Sequence, residues 1–478
     1  MNKILTIAQS KLWMEEPHNC TDAKDVLTIF TSLFDPLAAY DPKMRYVPAL
    51  AESWIVSEDA RTWTFKLRPD VKFHNGQSVD AEAVVFSLKR MARPDMGVTL
   101  GAPGVYNQYL VGMELEILNR QMLRLTLSEP MADLLDILVT GYILPPDTVE
   151  RLGDGFKAGP IGSGPFEFVG YEKGVRIRAR KNSNYFQALP DYEAIEWLLV
   201  PDPNERLSMI KDGRAHIAAG PPYTASLEDH NLNYVRSRGS TVFIIIYNAK
   251  NGPLKDPRIR LALNLGVDRK ALINRVLNGA GYPLSGFVSP VHFGFDPGQT
   301  PIRFDPNRAR ALLKESGYSE GLSLTLDSPT SLPNEAVRLS EALADQLKRI
   351  GVEINIVYTE DRELYANKVR RKDIHDMCIF DSSPLSTFRV LKEKVDARFE
   401  GSWWQGYHNE AVEKLLDAAQ TTADNRRREA IYKQCFRLLS EDPPWLYLYN
   451  AMNITGIAPH LSAWQMPAHG VIDPRYVP

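Results

Sequence analysis

The stretch Asp59-Ala-Arg-Thr-Trp-Thr-Phe-Lys-Leu-Arg-Pro-Asp-Val-Lys-Phe-His-Asn-Gly76, followed by Asp80-Ala-Glu-Ala-Val-Val-Phe-Ser87, carries most of what the chain says about its fold. From Thr62 to Arg68 apolar and polar residues alternate, with Trp63, Phe65 and Leu67 on one side, the period of a half-buried strand. Asp80 then stands where a helix cap is wanted, and Val84, Val85, Leu88 and Met91 recur at helical spacing. A strand that yields at once to a capped helix is the first sign of a mixed fold.

The same alternation continues outward from this stretch. Thr241-Val-Phe-Ile-Ile-Ile-Tyr247 is a nearly unbroken β-branched and aromatic run, which predicts a strand covered on both faces. Asp256-Pro257 has the form of an N-cap with proline at the first helical position, and Asp268 caps a second helix that ends near Gly279. Asp305-Pro306 repeats the pattern, with Gly317 as the stop. A strand at Leu322–Leu326 follows, and then a helix on which Ala336, Leu339, Leu343, Leu347 and Ile350 share a face. Gly351 ends that helix, and Val352, Ile354, Ile356 and Tyr358 alternate beyond it. Helices and strands taking turns predict an α/β architecture from about 240 to 450, while the first half, richer in strand pairs, reads as α+β.

Length and composition bound the class. At 478 residues the chain exceeds the roughly 250–300 at which one core stops growing, so two or three globular units are expected. A hydrophobic content of 44% with 24% charged residues excludes a disordered or fibrous chain. A formal charge of −3 argues against a scaffold that holds nucleic acid by neutralising phosphates. Three cysteines, Cys20, Cys378 and Cys435, lie too far apart for a Cys-x-x-Cys site and allow one bridge at most. After Lys3 the apolar run Ile4–Ala8 falls short of the roughly 7–15 residues of a signal-peptide core, which fits either a cytosolic chain or a processed one.

Signatures of catalysis are mostly missing: there is no Gly-x-Ser-x-Gly, no His-Glu-x-x-His and no phosphate loop. The histidines are scattered without ligand spacing, so neither a metal nor any other cofactor is expected. Gly159-Pro-Ile-Gly-Ser-Gly164 reads plainly as a tight turn into the strand Pro165–Val169, or more sharply as a backbone loop that approaches a ligand. Asp381-Ser-Ser-Pro-Leu-Ser-Thr-Phe-Arg389 and Gly401-Ser-Trp-Trp-Gln-Gly-Tyr407 together hold an acid, hydroxyls, an arginine and two tryptophans, the inventory of a small-molecule pocket. Asp381 reads equally well as a turn cap, and Arg389 as half of an ion pair. Neighbours in an extended segment point opposite ways, so only one of Trp403 and Trp404 is expected to meet a ligand.

Taken in order, several segments resemble family 5 extracytoplasmic solute-binding proteins, the peptide, opine and nickel receptors of ABC importers. They are Ala51-Glu-Ser-Trp54 with the opening stretch, Gly162-Ser-Gly-Pro-Phe166, Tyr247-Asn248 with Asp256-Pro-Arg-Ile-Arg260, Asp268-Arg-Lys-Ala-Leu-Ile273, Phe295-Asp-Pro297, and Gly406-Tyr-His-Asn409. The resemblance spans nearly the whole chain. It implies a periplasmic-binding-protein-like fold of class II, cluster C type, with two lobes around a cleft. Lobe I would comprise residues 1–240 and 450–478, with a subdomain at about 35–160, and lobe II residues 241–449. Hinge strands would lie near Thr241–Asn248 and Leu446–Ile454.

The resemblance further implies a non-enzymatic, monomeric receptor outside the cytoplasm that passes an oligopeptide or peptide-like solute to the membrane subunits of an ABC permease. Site residues would be His18, Asn19, Cys20 and Ser163 from lobe I, and Tyr247, Asp381, Ser382, Ser383, Arg389, Trp403 and Trp404 from lobe II. Two departures bear on the solute. Phe380-Asp-Ser-Ser-Pro stands where peptide receptors have an Asp-rich Gly-Trp loop, and Asp327-Ser-Pro-Thr-Ser-Leu-Pro-Asn334 lacks the arginine that clamps a dipeptide carboxylate. An opine or a sugar-like polyhydroxylated solute is therefore the alternative. Readings from other classes are a cytosolic ligand sensor and a peptidase.

Overall fold

The computed structural model describes residues 3–19, 23–96, 104–189, 191–222, 232–331 and 333–478. The chain forms two compact units, Met1–Ser237 with Asn453–Pro478, and Arg238–Met452.

The strands of the first unit are β1 (Ile4–Gln9), β2 (Ala38–Tyr40), β3 (Tyr46–Pro48), β4 (Ala51–Val56), β5 (Thr62–Leu67), β6 (Glu114–Asn119), β7 (Met122–Thr126), β8 (Phe166–Glu172), β9 (Arg176–Lys181), β10 (Ala194–Leu199), β11 (Ile217–Ala219) and β12 (Asn233–Ser237). The second unit holds β13 (Val242–Tyr247), β14 (Gly281–Pro283), β15 (Leu322–Pro329), β16 (Val352–Thr359), β17 (Met377–Ser382) and β18 (Trp445–Ala451), and β19 (Asn453–Ile457) returns to the first.

In the first unit a seven-stranded sheet runs β12-β19-β11-β1-β10-β9-β8, and a four-stranded one runs β4-β5-β7-β6. β1 pairs in parallel with both β10 and β11, and its two faces enter different cores, Leu5 and Ile7 on one side and Ala8 on the other. That is why Ile4–Ala8 is apolar: Leu5, Ile7 and Ala8 are core residues of this sheet. In β5 the predicted alternation holds, with Trp63, Phe65 and Leu67 buried. The helix that follows is Ala81–Met91, capped by Asp80, which accepts from the Ala83 N–H at 3.2 Å.

In the second unit a six-stranded sheet runs β14-β18-β13-β17-β15-β16. β13 lies between antiparallel β17 and β18, and its two faces enter different cores. Ile245 and Tyr247 pack on one side, and Val242, Ile244 and Ile246 on the other, which explains a run without polar alternation. Asp256, Asp268 and Asp305 cap the helices Pro257–Leu265, Arg269–Leu277 and Pro306–Glu315. The second of these ends one residue before Gly279, at Asn278, a residue type that tolerates the left-handed φ of 50° found there. Among the described residues no helix is long and apolar enough to cross a membrane.

Candidate functional site

In the first unit the chain leaves β1 through a loop. The buried Gln9 amide anchors its start, donating to the carbonyls of Lys11 at 2.8 Å and Asp25 at 3.2 Å. Further along, Arg90 from the helix Ala81–Met91 closes a two-pronged pair with Glu16, at 2.7 and 3.0 Å. The same guanidinium donates to His18 Nδ1 at 3.0 Å, and His18 Nε2 lies 2.9 Å from the Tyr142 carbonyl. Arginine can only donate, so Nδ1 must accept and Nε2 must carry the proton. Burial and the Arg90 charge push the His18 pKa down to about 4. Burial raises Glu16, but the Arg90 hydrogen bond and charge outweigh it and hold the carboxyl below its ordinary value.

His18 is therefore a fully buried brace of this loop rather than an exposed contact. Asn19 lines a groove of about 750 Å³ together with Glu16, Phe86, Arg90, Val149 and Lys157. Cys20 lies outside the described residues.

Ser163 is also buried, and its hydroxyl donates inward to Asp35 Oδ2 at 3.1 Å. Tyr185 donates to the other oxygen of Asp35 at 3.0 Å, and Arg475 lies 3.7 Å away while pairing with Asp473 at 2.5 Å. The glycines beside Ser163 do allow a close approach, but to the chain itself. A Cβ on Gly162 would stand 2.0 Å from the Leu33 carbonyl oxygen, and one on Gly164 2.5 Å from the Leu33 carbonyl carbon. The turn is built against the end of the helix Lys24–Leu33, which corrects its reading as a ligand-facing loop.

Four of the residues expected to line a pocket in the second unit are framework. The Tyr247 hydroxyl donates to the Arg260 carbonyl at 3.3 Å, accepts from Asn264 Nδ2 at 3.1 Å, and sits in the core. Arg389 is buried in the helix Thr387–Lys394 and donates to Glu393 at 3.0 Å, one turn on. Residues 401–404 close a turn, the Trp404 N–H donating to the Gly401 carbonyl at 3.1 Å, so strand alternation does not apply at the two tryptophans and both are buried. Trp403 packs on Phe380 with ring centres 4.5 Å apart, and Trp404 donates to the Tyr407 carbonyl at 2.6 Å. Tyr247, Arg389 and Trp404 spend hydrogen-bonding groups inside the unit, and Trp403 is buried in its core.

The end of β17 is different. Asp381 and Ser382 sit opposite Phe243 and Val242 of β13, at the edge of the core. The Asp381 side chain keeps 28% of its exposure, and the nearest guanidinium nitrogen, from Arg362, stands 3.9 Å from it. Burial pushes the Asp381 carboxyl up, against the pull of Lys394 and Arg362. Arg362 lies over the rings of Phe380 and Tyr365, at 4.8 and 5.4 Å, and its Nη1 is buried with no hydrogen-bond partner among the described residues. Ser382 is 1% exposed, and its hydroxyl likewise has no partner among them. Ser383 is half-buried, with its carbonyl taken by Ser240 at 2.7 Å.

The structure thus brings Asp381 together with Arg362, which the sequence reading missed, while Ser382 follows Asp381 in β17 and faces the other side of the strand. One signal was present: Arg362 opens the helix Arg362–Arg370, where a cation sits at the unfavourable end of the helix dipole. The chemistry on offer is an anion and a cation, both partly desolvated and not tightly matched. Among the described residues no group of three or more His, Cys, Asp or Glu is placed to hold a metal. Cys378 and Cys435 are free, buried thiols. Burial pushes the Cys435 pKa up to about 12 and raises that of Cys378 as well, so neither is reactive.

Two α/β units of interrupted connectivity, each built on its own mixed sheet, are an architecture suited to a solute-binding protein. The chain belongs to the bacterial extracellular solute-binding proteins, family 5: the model "Bacterial extracellular solute-binding proteins, family 5 Middle" matches residues 45–388. It is similar to the glutathione-binding protein GsiB of Salmonella paratyphi A, with 28% identity over 467 residues that cover 94% of this chain and 90% of that one. It is also 28% identical to Di/tripeptide-binding protein 2 of Pseudomonas aeruginosa, over 91% of this chain and 87% of that one. Among solved structures, HbpA2 from Haemophilus parasuis matches with a TM-score of 0.86 at 22% identity, covering 98% of each chain, and so shares the fold. As a family member the chain is a solute-binding receptor of an ABC importer and not an enzyme.

Proposed function

We propose that the solute is a short peptide or peptide-like compound with a free amine, taken up outside the cytoplasm and passed by a single copy of the chain to its permease. The observation that carries this reading is Asp381, a partly exposed carboxylate whose burial is not repaid by a tight counter-ion. An ammonium group from a ligand supplies what is missing, because a charge-assisted hydrogen bond to a partly desolvated carboxylate is strong. The names of the relatives support it, since one binds glutathione and another di- and tripeptides. The family's extracellular character supports the compartment.

A thermal-shift panel tests the reading. A solute at about 100 times its dissociation constant adds roughly 2.7 kcal/mol of stability. Di- and tripeptides, glutathione among them, are expected to raise the melting temperature. A shift with opine-like conjugates or oligosaccharides and none with any peptide would overturn the assignment. Light scattering of the complex is expected to give the mass of one chain.

A further inference from the structure

We propose that Asp381 and Arg362 together read an α-amino-acid head group, one carbon bearing both a free ammonium and a free carboxylate, so that the receptor prefers peptides whose first residue is linked through its side chain. This rests on the peptide reading and narrows it.

The geometry of the pair is the starting point. Arginine and carboxylate that are free to close form short, two-pronged pairs, and this protein makes them elsewhere. Arg90 meets Glu16 at 2.7 and 3.0 Å, and Arg398 meets Asp417 at 2.7 and 2.8 Å. Arg362 and Asp381 stand at 3.9 Å, although more than two-thirds of each side chain is buried. Stacking on Phe380 and Tyr365 fixes the guanidinium plane, so it cannot swing onto the carboxylate. One of its nitrogens is left buried with nothing to donate to among the described residues.

An unmatched acceptor and an unmatched donor about one loose ion pair apart describe the ligand. It must present a cation to Asp381 and an anion to Arg362 at similarly short separation. In an ordinary α-linked peptide the ammonium carbon leads to a neutral amide carbonyl, a weaker partner for a guanidinium than a carboxylate. In a side-chain-linked residue, as in a γ-glutamyl peptide, the ammonium and the carboxylate share one carbon.

The test uses two isomers of equal composition and charge, γ-glutamylglycine and α-glutamylglycine, titrated calorimetrically into the full chain. The γ isomer is expected to bind roughly tenfold tighter or more, the effect of one charge-assisted hydrogen bond. Arg362→Gln is expected to bring the ratio close to one, chiefly by weakening the γ isomer, and Arg362→Lys, which keeps the charge but not the planar fork, to give an intermediate ratio. Equal affinities in the unaltered chain, or a ratio that Arg362→Gln leaves unchanged, overturn the head-group proposal while the peptide reading stands. If neither isomer nor any other peptide binds, both fall. The comparison in the unaltered chain needs no variant to fold.

Discussion

The clusters around Ser163 and Asp381 each combine an acid, an arginine and a serine hydroxyl, yet they do opposite things. At Ser163 every group is matched: both oxygens of Asp35 accept hydroxyl donors, and Arg475 bridges toward Asp473. At Asp381 the acid and the arginine stand apart, and among the described residues one guanidinium nitrogen has nothing to donate to and the serine hydroxyl has no partner. A matched buried cluster fastens the chain, here tying its last residues to the turn after Gly162. An unmatched one is held open by other forces, here by the rings of Phe380 and Tyr365, and is available to a solute. The difference lies in satisfaction, not in residue type.

The sharpest way to break this contrast is Arg475→Ala. It leaves Asp35 and Asp473 as neighbouring buried acids without their cation, and removal of one partner from a buried pair costs about 3–5 kcal/mol. Denaturant unfolding is expected to show that loss, whereas Arg362→Ala, which removes a loose and partly exposed contact, is expected to stay within about 1 kcal/mol. Equal losses at the two sites would remove the distinction.

Protonation probes the matched side differently. His18 has its pKa pushed from 6.5 down to about 4, chiefly by burial, so the folded state favours the neutral ring. Between those values the unfolded chain binds more protons. The stability tied to His18 is thus full above pH 6.5 and is lost as pH falls toward 4, by roughly 3 kcal/mol at most. His18→Gln can keep a donor for the Tyr142 carbonyl and an acceptor for Arg90 but does not titrate. Its melting temperature is expected to fall less between pH 7 and pH 4 than that of the unaltered chain, and an identical fall would rule out His18 as a source. His292 and His469, also near 4, set the acid sensitivity that remains.

Much of the framework was legible because it rests on local chemistry. Asp-Pro caps, glycine stops, the alternation in β5 and the unbroken apolar run of β13 each follow from what the backbone needs at that place. The site was legible only in part. Asp381 stands out in the sequence, but Arg362 lies 19 residues earlier and reaches it only because its helix packs on Phe380. Ser163, Arg389 and the two tryptophans were attractive for their residue types, and residue type does not say which side of the backbone a group faces. A turn at 401–404, not an extended segment, buried both indoles.

On the unmatched side, Asp381→Asn separates binding from folding. Burial raises the carboxyl pKa, so the folded state takes up more protons than the unfolded one, and the charged form is a burden on the free protein as pH rises past the ordinary carboxylate range. The asparagine variant is expected to melt no lower than the unaltered chain at pH 7. Affinity for an amine-bearing solute is expected to drop by about 2 kcal/mol, roughly thirtyfold, with loss of the charge-assisted bond. A variant that melts lower and binds as before would make Asp381 a structural residue like Asp35.

Ser382→Ala has the smallest expected effect. The hydroxyl is buried without a partner among the described residues, so the free protein gains little from it. Replacement by alanine removes an unmet polar group and leaves only a small gap, and stability is expected to hold or to rise by up to about 1 kcal/mol. Solute affinity should change less than about twofold, because the hydroxyl lies on the strand face opposite Asp381. The stability response is the discriminating feature, since the matched serine behaves otherwise. Ser163→Ala strips a donor from a buried carboxylate and is expected to lower stability by about 1–3 kcal/mol. If both serines cost stability alike, the hydroxyl of Ser382 is packing material, and the contrast rests on Asp381 and Arg362 alone.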